Sequence, residues 1–136
     1  MKNLNFIIKV EKTDYRNLAG AKILNNKEIS IPDLIEWVNV PLASKPAQLQ
    51  ISDKVENKAD IYTHKCVFKT AEEWNTRKHY AYRLTTVDGA KLLIGNSNRP
   101  FVISSLSENH PSSMTESTMT EVTLSYIVPF KAYYIR

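Results

Sequence analysis

"TTVDGAKLLIGNSNRPF", residues 85–101, holds two of the three glycines in a chain of 136 residues, and what those glycines do decides the fold. A phosphate-binding loop needs closely spaced glycines between a strand and a helix, so that backbone N–H groups converge on the anion. Here Lys91, Leu92, Leu93 and Ile94 lie between Gly89 and Gly95, and no helical pattern follows. "GNSN" likewise lacks the second glycine of a hydrolase nucleophile elbow. Asp88-Gly89 between "YAYRLTT" and "KLLIG" is instead a strong hairpin signal. Gly95 then opens a cluster of turn formers ahead of the apolar run "FVISSL". The stretch reads as strand, turn, strand, turn, strand.

The same period extends outward. Leu4, Phe6, Ile8 and Val10 alternate with Asn5, Ile7, Lys9 and Glu11, which predicts a first strand with one buried face. In "AKILNNKEISI", Asn25 and Asn26 separate two short arms and tolerate the positive φ of a tight turn. "AQLQISDKVE" and "DIYTHKCVFK" form a hairpin through "ENKAD", the second arm placing Tyr62, His64, Cys66 and Phe68 on one face. Near the end, Val122, Leu124, Tyr126 and Val128 alternate with Thr123, Ser125 and Ile127 until Pro129. Two short helices compete with this pattern. "SIPDLIEWV" has Ser30 as a cap, although Pro32 suits an extended edge equally well. "TAEEWNTRK" pairs Thr70 with Glu73 as a capping box and Glu73 with Arg77 at i,i+4.

These elements predict a mainly β chain, an antiparallel β-barrel or sandwich of about seven to nine strands with one or two short helices. One domain over 1–136 follows from the length. Within it, the prolines of residues 39–48 mark a connector, and the Ser/Thr-rich stretch 107–120 reads as a long mobile loop.

Composition narrows the function classes. The net charge of +4 comes from 18 basic against 14 acidic residues spread along the chain, a mild excess compared with a nucleic-acid footprint. A single cysteine, Cys66, cannot form an internal disulfide and fits a reducing compartment. The first residues hold only three consecutive apolar side chains before Lys9, and no stretch approaches membrane-spanning length. The expectation is a protein that is cytoplasmic at synthesis, with no membrane partner.

Few residues suggest chemistry. His64 and Cys66 on one face, with His79 or His110, are the candidate metal ligands, but a structural zinc site normally shows a second spaced pair. The acids show no general acid and base pairing. No metal, cofactor or catalytic residue is therefore expected. "RKHYAYR" interleaves bases with aromatics, so Arg77, Lys78, Tyr80, Tyr82 and Arg83 could stack and neutralise a single strand of nucleic acid, as OB-type barrels do. The final residues carry Phe130, Tyr133, Tyr134 and Ile135, either a last strand closing the sheet or an arm docking on a neighbouring subunit.

"YRLTTVDGAKLLIGNSNRPF" followed by "TEVTLSY", within residues 80–126, resembles small structural proteins of tailed bacteriophages and prophages, those made in head-completion and tail modules. The resemblance implies a non-enzymatic, self-assembling β-barrel or sandwich that works through its surfaces, in a homo-oligomer or against virion neighbours, and that can end up assembled in a virion. It carries over no ligand-binding or catalytic residue. The alternative reading is the nucleic-acid-binding barrel built on the basic and aromatic strand.

Overall fold

The computed structural model describes residues 2–42, 47–70, 74, 77–98, 100–109 and 119–135. Eleven strands run in chain order: β1 (Lys2–Asp14), β2 (Lys22–Ile23), β3 (Glu28–Ser30), β4 (Val38–Val40), β5 (Ala47–Glu56), β6 (Ala59–Thr70), β7 (Tyr80–Thr86), β8 (Lys91–Ile94), β9 (Ile103–Asn109), β10 (Met119–Val128) and β11 (Tyr133–Ile135). They form one open sheet in the order β2-β3-β11-β8-β7-β1-β5-β6-β10-β9, with β4 paired to β1 beside β5. The mainly β expectation holds. Four of the strands have only two or three residues; the excess over seven to nine comes from β4, too short to leave an alternating pattern, and from β11, which the sequence leaves open between a last strand and an arm. Among the described residues, every pairing is antiparallel except β3 with β11.

The sheet curls around one core. Val10 and Ile7 of β1, Leu49 of β5, Cys66 and Phe68 of β6, Tyr82 and Leu84 of β7 and Leu124 of β10 belong to a single buried cluster. Trp74 stacks on Tyr82 and meets Phe68 edge-on, joining strands that are not neighbours in the ladder. Among the described residues, the terminal strands β2 and β9 do not pair with each other. A second cluster, Leu18, Ile29, Ala81 and Leu93 with Ile35, Trp37 and Tyr133, lies under residues 15–37 on the opposite face of β7 and β8.

The turn chemistry explains the hairpins. β7 and β8 join through Val87–Ala90: Gly89 N–H donates to the Thr86 carbonyl at 3.0 Å and Thr86 N–H to the Ala90 carbonyl at 2.8 Å. Gly89 sits at φ +91, so this is a type I turn closed by a glycine bulge. Between β5 and β6, Asn57 and Lys58 both take positive φ, the signature of a type I′ turn. Asn25 works differently from expectation. It is not at positive φ; its side-chain oxygen accepts from Lys27 N–H at 2.8 Å and Glu28 N–H at 2.9 Å, an Asx turn.

Three expectations need correction. The face of β1 is not continuous: register shifts between Ile7 and Lys9, so Ile7 and Val10 point inward while Phe6 and Ile8 are exposed. One bulged residue exchanges the two faces. "SIPDLIEWV" holds a turn at Asp33-Leu34 rather than a helix. The helical element is a 3-10 turn at Tyr15–Gly20, where the Asp14 carboxylate caps Arg16 N–H at 3.0 Å. The loop expected over 107–120 begins later, because β9 runs to Asn109 and Met119 pairs with it; residues 110–118 lie outside the described residues. Most of the helix expected in "TAEEWNTRK" does too, although Trp74 within it is buried.

Candidate interaction surfaces

The C-terminal aromatics are not a free arm. β11 lies between β8 and β3, with Tyr133 opposite Leu93 and Ile135 beside Ile29, and Tyr134 N–H donates to the Lys27 carbonyl at 2.7 Å. Phe130 stacks on Tyr133 with centroids 5.3 Å apart and touches Tyr126 at 6.3 Å. Ile135 and Tyr133 pack on the second cluster, and only Tyr134 is exposed. The premise that this tail shows apolar surface to water therefore fails: its side chains find partners within the chain, as the last-strand alternative requires.

His64 holds the link that delivers β11. Its Nδ1 lies 3.0 Å from the Tyr126 carbonyl and its Nε2 accepts from Ala132 N–H at 2.9 Å. A carbonyl demands a donor and an N–H demands an acceptor, so the ring is neutral with its proton on Nδ1. Burial lowers its pKa, the Tyr126 hydrogen bond opposes that, and the Lys131 charge lowers it further. Both nitrogens are used for structure, and among the described residues no group of metal ligands exists. Cys66 is fully buried, which pushes its thiol up to about 12, so it is a packing residue rather than a thiolate.

The basic and aromatic strand does not present one surface. Arg77 and Lys78 are exposed, Tyr80 is half-buried and Tyr82 is buried against Trp74. Arg83 points to the opposite face, where its Nε and Nη2 donate to the Glu11 carboxylate at 2.9 and 2.6 Å and its guanidinium lies 4.8 Å from the Trp37 ring. Burial pushes the Glu11 carboxyl up, but the Arg83 hydrogen bonds and charge, with Lys9 and Lys91, outweigh it and leave the pKa below the ordinary 4.5. Tyr82 cannot stack on a base, and Arg83 is committed to a bidentate pair. The alternating tyrosines that suggested a platform belong to the core.

Gly95 and the "GNSN" turn do border a cavity of about 220 Å³, with Leu18, Ile29, Leu93, Phe130 and Tyr133 among its walls. Asn96, Ser97 and Asn98 supply its polar rim. Gly95 is nevertheless explained by packing: at φ +120, a Cβ there would sit 2.8 Å from Ala81 Cα. Both Gly89 and Gly95 therefore serve the sheet.

The surface that sequence reading passed over is the outer edge of β9. This strand pairs with β10 in seven continuous steps from Ile103 to Asn109, and among the described residues nothing pairs with its other side. Native edges are usually blunted by charged side chains, Lys above all, by Pro, a bulge or a cover. "ISSLSEN" has neither Pro nor Lys and a single charge, Glu108, near its end; its register has no bulge, and Ile103 and Leu106 are 65% and 38% exposed. The signal was present in the composition of the strand, but only topology shows that it is an edge. Compared with protein-family models, with curated proteins and with solved structures, the chain finds no match in any of the three.

Proposed function

We propose that this chain is a non-enzymatic structural subunit that works by joining other protein subunits through its sheet. The observation that carries the reading is the β9 edge, a seven-residue strand with no Pro, Lys or bulge and, among the described residues, nothing paired to its outer side. Two further features support it. His64 and Cys66, the most chemically versatile side chains of the core, serve packing and backbone bonding, and in "RKHYAYR" Tyr82 is buried while Arg83 is paired with Glu11. The resemblance of residues 80–126 to structural proteins of tailed bacteriophages points to the same class, a subunit made in the cytoplasm and assembled into a particle. Sedimentation velocity over a hundredfold range of protein concentration tests the reading. Association that grows with concentration is expected; a strict monomer throughout would overturn it.

A further inference from the structure

From the two edges of the sheet we infer that a second copy of this chain is the partner, joined by antiparallel pairing of β9 with its own copy. This rests on the subunit reading and gives it a partner and a register. The edges are unequal: β2 offers two residues, Lys22–Ile23, and β9 offers seven. A head-to-tail join of β9 to β2 could form a ladder over only those two residues, whereas β9 on β9 can run the whole strand. Isologous pairing also closes on itself, which gives a dimer instead of a filament.

The register follows from the faces. Opposed residues in an antiparallel pair share a face, so inward positions of one copy must meet inward positions of the other for the two sheets to continue as one. Ser104 and Leu106 lie opposite Leu124 and Val122 of β10, whose side chains are buried in the core, and so face inward. A two-fold axis at Leu106 satisfies the condition and retains every β9 residue, placing Leu106 opposite its own copy and Ser105 opposite position 107. It covers the exposed flank of Leu106, which lies at the open rim of the core beside Val122.

Disulfide trapping tests this on the full chain. In the proposed register the two Cα atoms at 106 stand about 4.5–5.5 Å apart, within reach of a disulfide. Leu106→Cys is expected to form a covalent dimer on mild oxidation, while Val55→Cys, exposed on another strand, stays monomeric; Cys66 is buried and contributes nothing. Ser105→Lys, at an exposed outward position, sets two lysines diagonally across the pair and should weaken association roughly tenfold. An oligomer that persists in Ser105→Lys without trapping at 106 would overturn the β9 register and leave the subunit reading intact. A wild-type chain that stays monomeric and never traps at 106 would overturn both.

Discussion

The sheet on one side of β1 is covered twice, and on the other side once. β7 and β8 carry the main core on their inner face and the second cluster, under residues 15–37, on their outer face, and β11 adds Tyr133 and Ile135 to the second cluster. β5, β6 and β10 bury only the inner face: Gln48, Lys65 and Ile127 are exposed on the other, with Thr123 and Ser125 part-exposed. The sequences differ accordingly. β6 alternates along most of its length, as a strand with one wet face must, while Leu92, Leu93 and Ile94 of β8 are buried in succession. A consecutive apolar run is therefore the mark of the doubly covered half, and alternation the mark of the singly covered one.

The contrast can be broken most sharply at Leu93. Leu93→Ala removes a side chain from the second cluster and should cost about 2–5 kcal/mol, whereas Ile127→Ala on the wet face of β10 should stay within about 0.5 kcal/mol. Urea unfolding midpoints measure both. Equal costs would mean that residues 15–37 do not seal the outer face.

The two glycines of the β7–β8–β9 region give a second, smaller contrast. Gly95→Ala meets both an unfavourable φ and the Ala81 backbone at 2.8 Å, and should lose about 2–4 kcal/mol. Gly89→Ala has the φ penalty with open space around it, and should lose about 1 kcal/mol. Thermal melts of the two variants rank them directly.

Acid separates the halves more gently. His64, in the singly covered half, has a folded pKa below its ordinary 6.5. The unfolded chain then binds the proton first, and stability falls as pH drops below about 6.5, with a slope of at most about 1.4 kcal/mol per pH unit. Glu11, paired with Arg83 in the other half, has a folded pKa below 4.5, so its contribution persists until pH falls below about that value. Unfolding curves from pH 8 to 4 should show the first loss near 6.5 in the wild type and none there in His64→Leu. A flat wild-type profile down to pH 5 would contradict the neutral, doubly bonded imidazole.

What could be read from sequence was whatever is set by neighbours along the chain. The Asp88-Gly89 hairpin, the face Tyr62-His64-Cys66-Phe68 and the alternation of β10 all depend on residues a few positions apart, and all hold. The bulge at Ile8 was hidden because Phe6, Ile7 and Ile8 are all apolar and either phase fits. Which of its two readings holds for β11, and that β9 is an edge, could not be read for a different reason. Whether a short aromatic run docks, or a serine-rich strand stays unpaired, depends on partners far away in the chain. Tyr80 and Tyr82 left two readings open because a stacking platform and an aromatic core look alike until Trp74 is placed against them.

The central position of β1 sets the tempo of folding. One of its edges is served by β5 over residues 2–7 and by β4 over residues 10–12, and the other by β7. The hairpins β5–β6 and β7–β8 carry their own turns and can each close in about 1–10 μs. Neither completes its ladder until β1 lies between them, and that requires long loops to be closed before any contact repays them. Folding should therefore run on the millisecond-to-second scale of β-rich chains, with strand β1 docking as the slow event.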